Sequence, residues 1–284
     1  MTVLEVIQKS SEFLARKGVE SPRLQTELLL AHVLKMPRMK LYLNFERALS
    51  EPELTAVREL VKRRGQREPL QYIVGSASFC GLELAVDRHV LVPRPETELL
   101  AEQGWQFLST LGPQPSTALD YGTGSGCIAI SLAVKCPSTQ ILGIDASADA
   151  LDVAGQNAAR HNVSDRTRFF HGDGFAAVPP DASFDLIISN PPYIPSAGIE
   201  TLQPEVRDYE PHQALNGGPD GLDAFRRLAA EAGAFLKSGG RIMVEFGDGQ
   251  EEQVCRILKG QNWIVVAVKQ DYTPRPRILI ARRE

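Results

Sequence analysis

Asn190-Pro191-Pro192-Tyr193 follows the apolar run Phe184-Asp185-Leu186-Ile187-Ile188-Ser189. Neither proline carries a backbone N–H, so the chain can continue there as neither helix nor paired strand. Each proline also pushes the residue before it toward extended backbone, which stiffens Asn190 and Pro191. The result is a rigid rim at the carboxyl end of a buried strand, where open α/β sheets place their ligands. It offers two acceptors, the Asn190 carboxamide oxygen and the Pro191 carbonyl, beside one flat ring, Tyr193. Such a set suits a planar NH2 group: both N–H bonds are engaged while the ring covers the conjugated plane. Taken alone, the tetrapeptide reads equally as a proline-stiffened loop.

A second constellation lies upstream. Asp120-Tyr121-Gly122-Thr123-Gly124-Ser125-Gly126 sits between a strand and a helix, and its glycines allow close backbone approach to a ligand. A dinucleotide fingerprint needs glycine at the sixth position of GxGxxG, which here is Cys127. The spacing matches instead the turn that holds the aminoacyl end of S-adenosylmethionine, with NAD and a plain turn as the competing readings. Asp145, at the tip of the next strand, is placed to accept both ribose hydroxyls of either cofactor. Asp173 and Gly174 end a third strand, where Asp173 can accept from an adenine amine and Gly174 leaves room for the ring. Residues 122–126, Asp145, Asp173 and Gly174 therefore form a cofactor shelf that Asn190 closes.

These residues need strand ends in register. Apolar runs predict strands at 118–121, 140–144, 167–170, 184–189, 240–245, 263–268 and 277–281, with helices between most of them. That alternation predicts a doubly wound, seven-stranded and mostly parallel α/β sheet. Before it, helical spacing in 2–18, 22–34 and 51–64 predicts a small all-helical domain, 1–75, in which His32 is read as a core histidine. Residues 76–92 alternate as a β-hairpin connector, leaving 93–284 as the catalytic domain. Pro93-Arg94-Pro95-Glu96-Thr97-Glu98 predicts a stiff turn entering a helix, with the turn a candidate wall of the cofactor cleft.

At 284 residues, the chain can bury a sizeable core, and 43% hydrophobic against 23% charged residues is ordinary for a soluble protein. No apolar run approaches the ~20 residues of a membrane helix, and the first residues do not read as a signal peptide, so a cytoplasmic protein is expected. Cys80, Cys127, Cys136 and Cys255 are spaced for neither a metal site nor a disulfide framework. Residues 1–75 carry 13 Lys/Arg against 9 Asp/Glu, whereas the remainder is acidic. The positive excess gathers in Arg58, Lys62, Arg63, Arg64 and Arg67, read either as a solvated helix face or as a phosphate footprint.

Four stretches taken together carry a wider resemblance: 93–98, Leu119 to Gly126, Ser189 to Ile194, and Glu210-Pro211-His212-Gln213-Ala214-Leu215. In this order behind a helical domain they resemble the peptide chain release factor N5-glutamine methyltransferase (PrmC/HemK) family. The resemblance implies a class I S-adenosylmethionine-dependent methyltransferase of Rossmann-like fold, with S-adenosylhomocysteine as product. It implies cofactor contacts at Gly122, Thr123, Gly124, Ser125, Gly126, Asp145, Asp173, Gly174 and Asn190. The glutamine of a class 1 release factor's Gly-Gly-Gln loop would bind at Asn190, Pro191, Pro192 and Tyr193, of which Asn190, Pro191 and Tyr193 are the catalytic set. A monomer needing no metal, membrane or nucleic acid is expected. At Gly174 the chain departs from relatives that carry a large side chain there against the adenine. The alternative is an amino methyltransferase acting on adenine or guanine in RNA or DNA, with the basic 58–67 face gripping phosphates; a non-catalytic cofactor-binding module is a further one.

Overall fold

The computed structural model describes residues 1–283. The chain divides into two compact units: Met1–Ser76 with Gln203–Tyr209, and Ala77–Leu202 with the chain from Glu210 onward.

The first unit is helical: α1 (Val3–Arg16), α2 (Pro22–Val33), α3 (Arg38–Leu41), α4 (Glu51–Gly65), α5 (Leu70–Val74) and, from further along the chain, α9 (Pro204–Arg207). Thr2 with Glu5 and Ser50 with Glu53 form capping boxes that satisfy the first N–H groups of α1 and α4. Val6, Ile7, Leu14, Leu30, Leu54 and Val61 turn inward from these helices to make the core. Glu27 is buried among them; burial pushes its carboxyl up, but bonds from Arg23, Tyr42 and Arg38 outweigh this and hold it below the usual range.

Two expectations are corrected here. His32 is exposed and not a core residue. The basic run is only partly a solvated face. Arg63 pairs with Glu68, while Arg64 (3% exposed) and Arg67 both bind Glu205 at 2.5–2.6 Å. Guanidinium groups neutralised in this way are poor phosphate grips, which weakens the nucleic-acid reading.

A hairpin, β1 (Ser76–Phe79) and β2 (Leu82–Ala85), begins at the boundary and lies, from Ala77 on, in the second unit; Cys80-Gly81 turn it with φ of +51° and +79°. The main sheet of the second unit has seven strands: β3 (Ser116–Tyr121), β4 (Thr139–Asp145), β5 (Thr167–His171), β6 (Phe184–Ser189), β7 (Leu236–Glu245), β8 (Ile264–Gln270) and β9 (Pro276–Arg282). The spatial order is β5-β4-β3-β6-β7-β9-β8, with β9 antiparallel to both neighbours and the pairings among β5, β4, β3, β6 and β7 parallel. The seven-stranded, mostly parallel sheet expected from the sequence is therefore present.

Helices α6 (Pro95–Thr110), α7 (Cys127–Lys135), α8 (Ala148–Arg160), α10 (His212–Leu215), α11 (Asp223–Glu231) and α12 (Glu251–Gly260) connect the strands. Side chains alternate across the sheet, so β6 sends Leu186 and Ile188 into the core shared with α6 and α7, and Ile187 into the core shared with α11 and α12. β7 begins at Leu236, earlier than the sequence pattern suggests, after a 3-10 turn at Ala232–Phe235 that ends the preceding helix. Asp271 closes the proline-rich β8–β9 turn by accepting from the N–H groups of Thr273 and Arg275.

All four cysteines are free thiols. Among the described residues no His/Cys/Asp/Glu group is arranged to hold a metal ion, and no helix is long and apolar enough to cross a membrane.

Candidate active site

Strand order reverses between β3 and β6, because β3 leads outward to β4 and β5 while β6 leads to β7. Such a switch point leaves a crevice outside the carboxyl ends of the two strands. A cleft of about 520 Å³ lies there, within the size range of small-molecule and cofactor sites. Ser189 ties the two strand ends together, its hydroxyl donating to the Tyr121 carbonyl at 2.6 Å.

The glycine turn forms one wall. Gly122, Gly124 and Gly126 have φ of +72°, +53° and +78°, values that L side chains rarely adopt. The N–H groups of Gly122 and Thr123 both donate to the Ile144 carbonyl, Gly126 donates to Thr123, and Gly124 donates to the Asp145 carboxylate at 2.8 Å. Four of the five N–H groups in 122–126 are thus spent inside the fold, and a turn so occupied is ill suited to cradle a pyrophosphate. Gly122 and Gly124 face the cleft. Thr123 and Ser125 are buried behind it, with the Thr123 hydroxyl donating to Asp120 at 2.7 Å. Asp120 is fully buried, and burial pushes its carboxyl up to about 7 against the opposing bonds from Thr123 and the Ala129 N–H.

Asp145 lines the cleft from the end of β4. Its second oxygen accepts from the Ser147 N–H at 3.0 Å, so the carboxylate is fixed in direction while each oxygen keeps a lone pair for a ligand. Asp173 and Gly174 line it from beyond β5, together with Arg227 of α11. The Arg227 guanidinium binds the Asp173 carboxylate at 2.5 Å and its carbonyl at 2.8 Å. The space beside Gly174 is therefore taken by a planar cation from another element.

Asn190 and Pro192 line the cleft on its β6 side, while Pro191 is buried. Tyr193 is half-buried and packs against the core shared with α11 and α12. Its carbonyl accepts from Gln250 at 2.9 Å, and its hydroxyl faces Glu245 at 3.4 Å. The Asn190 amide nitrogen donates to the Thr97 hydroxyl at 3.0 Å, which donates in turn to Glu245 at 2.7 Å. Glu245 ends β7 and is 1% exposed, and burial pushes its carboxyl up to about 7, against the Thr97 bond and the Arg277 charge that favour ionisation.

The 93–98 turn enters differently from the expectation. The cleft takes that part of its wall from His89, Val90 and Leu91, whereas 93–98 supplies Thr97 to Asn190. Arg94 grips both oxygens of buried Glu210 at 2.7–2.8 Å, joining two of the motif stretches, and burial pushes the Glu210 carboxyl up. Sequence reasoning did not single out Arg227, Glu245 or Gln250. A charged residue ending a buried strand was the available signal for Glu245.

The strand order, the glycine turn and acidic strand ends around a crevice at the switch point define a class I methyltransferase unit. A methyltransferase from Pyrococcus furiosus has the same fold, at a TM-score of 0.51 and 20% identity over 72% of this chain and 90% of that one. Family models described as the PrmC N-terminal domain and the methyltransferase small domain match residues 5–75 and 102–202. The release factor glutamine methyltransferase of Geobacter sulfurreducens is 47% identical over 281 residues, spanning 99% of this chain and 96% of that one. That of Chlorobaculum tepidum is 45% identical over 283 residues, spanning 97% and 95%. The chain belongs to the release factor glutamine methyltransferase family.

Proposed function

We propose that this chain transfers a methyl group from S-adenosylmethionine to the side-chain amide nitrogen (N5) of the glutamine in the Gly-Gly-Gln loop of class 1 peptide chain release factors. The observation that carries the reading is the direction of the Asn190 carboxamide. Thr97 gives its proton to Glu245 and must accept from Asn190, so the Asn190 oxygen is left as an acceptor beside the cleft. An acceptor there fits an NH2 substrate.

The donor set fits the cofactor. S-adenosylmethionine has no phosphate, consistent with a glycine turn whose N–H groups are already engaged. Asp145 would accept from the ribose hydroxyls, Gly122 and Gly124 would pass the aminoacyl end, and Asp173 with Gly174 would meet the adenine. Bound there, the cofactor supplies an electrophilic methyl group.

An amide nitrogen is a weak nucleophile because its lone pair is shared with the carbonyl. Asn190 Oδ1 and the Pro191 carbonyl would accept its two hydrogens, fix its direction and favour the positive charge that grows on it. The acceleration is then mostly positioning and electrostatics. Tyr193 would hold the amide plane flat. A methylated, cationic amide is acidic enough to lose its proton to water, so no side chain need act as base.

The test is transfer of labelled methyl from S-adenosylmethionine to a panel of substrates: a release factor, its Gln→Asn variant, ribosomal RNA and DNA. Label on the factor alone, absent from the variant, is expected. Label on nucleic acid instead would overturn the reading.

A further inference from the structure

We propose that buried Glu245, acting through Thr97, is the positioning residue that sets which end of the Asn190 carboxamide faces the substrate, and that the protonation of Glu245 switches it. The inference rests on the proposed reading of Asn190 as an acceptor of substrate N–H.

Three side chains from three elements meet here: Thr97 on α6, Asn190 after β6 and Glu245 at the end of β7. Thr97 is 2% exposed and Glu245 is 1% exposed, so no solvent competes for their bonds. A hydroxyl has one proton. With Glu245 ionised, both carboxylate oxygens can only accept: one from Thr97 at 2.7 Å, the other facing the Tyr193 hydroxyl at 3.4 Å. Thr97 has then no proton for Asn190 and accepts from its amide nitrogen at 3.0 Å. One carboxylate thereby orients both polar ends of the 190–193 rim.

With Glu245 protonated, the bookkeeping of donors reverses. Its O–H can donate to Thr97, whose own proton becomes available to Asn190 Oδ1, and the carboxamide turns over. An NH2 group would then face the substrate NH2, donor against donor. The groups acting on Glu245 are Thr97 and Glu96 of α6, Tyr193 and Arg277 of β9. Arg277 favours the ionised form but also binds Asp271 at 3.2 Å, and Glu96 opposes it. Burial outweighs the help, which puts the titration near neutrality, with a midpoint of about 7.

Three variants and two readouts test this. Thr97→Val keeps the shape and removes the hydroxyl; kcat is expected to fall about 10- to 100-fold, with the Kd for S-adenosylhomocysteine within two-fold of wild type. Thr97→Ser, which restores a hydroxyl, is expected to recover most of that loss. In wild type, kcat should fall on the acid side with a midpoint near 7, and Glu245→Gln should lack that limb. Asp120 titrates in the same range but is untouched in Glu245→Gln, so a limb that survives in the variant belongs to Asp120 and overturns the proposal. So does a Thr97→Val enzyme with kcat within two-fold of wild type.

The second readout needs no turnover. In protein labelled with 15N at asparagine, the Asn190 side-chain NH2 signal, assigned by its loss in Asn190→Ala, should titrate near pH 7 in wild type and stay fixed in Glu245→Gln. If wild type leaves release factor unlabelled, the proposed function has failed, and this titration still decides the switch. A flat signal in wild type overturns it.

Discussion

The guanidinium of Arg227 lies so close over Gly174 that a β-carbon built on the glycine would come within 2.5 Å of the guanidinium carbon. Gly174 also holds φ at +62°, a second reason for glycine there. A flat cation from α11 covers this glycine and holds Asp173. Arg227→Ala should therefore release the Asp173 carboxylate and weaken S-adenosylhomocysteine binding by about 10-fold, the worth of one charge-assisted bond. Gly174→Ala should act in the same direction by displacing the guanidinium. Calorimetric titration of both variants checks this, and unchanged affinity in both would remove Arg227 from the site.

Asn190→Ala removes the oriented acceptor but leaves the turn, Asp145 and Asp173 in place. Methyl transfer should fall by about 1000-fold or more, the loss typical of a preorganised catalytic contact. Affinity for S-adenosylhomocysteine should stay within a few-fold. Single-turnover labelling with saturating cofactor separates the two effects, and near-full turnover would exclude Asn190 from the mechanism.

Glu245 makes stability depend on pH in a direction opposite to that of a surface ion pair. Its folded midpoint of about 7 lies above the ordinary 4.5, so between those values the folded protein keeps a proton that the unfolded chain has lost. Stability from this group is fully present below pH 4.5 and is lost as pH rises through about 7. Glu245→Gln should match wild type near pH 4.5 and exceed it at pH 8 by about 3 kcal/mol. Thermal unfolding at the two pH values measures the difference. The same carboxylate thus costs stability in the ionised form that proposed catalysis requires.

How much of this was open to sequence reading differs from element to element. Leu119, Ile187 and Val244 lie in strands buried on both faces, so continuous apolar runs ending at Asp120, Asn190 and Glu245 marked both the sheet and its ligand edge. Local chemistry sufficed for the glycine turn and for Asp145, because their bonds are made within a βαβ unit. The Thr97–Glu245 bond spans 148 residues and the Arg227–Asp173 pair 54. No periodicity encodes partners so far apart. His32 was misread because leucines at helical spacing do not by themselves mark the core face: Leu24 and His32 on one side of α2 are exposed and Leu28 is half-buried, while Leu29 and Leu30 carry the packing.

Among the described residues, Glu205 is the carboxylate that pairs with Arg64, whose side chain is 4% exposed. Glu205→Gln would leave a buried guanidinium without its counter-charge, a change worth about 3 kcal/mol. Both tryptophans, Trp105 and Trp263, lie in the methyltransferase unit and would not report it. Hydrogen exchange with peptide resolution should show α2 and α4 losing protection while β3 and β4 keep theirs. Uniform protection in the variant would mean that the pair contributes nothing.

Because Gln203–Tyr209 folds with helices α1 to α5, a cut after residue 76 separates no intact module. The amino-terminal fragment would lack the carboxylate that neutralises Arg64 and Arg67, and the remainder would carry an orphaned strip directly upstream of Glu210. Exchange of the helical unit between relatives, by recombination or by hand, therefore has to transplant two stretches of coding sequence at once.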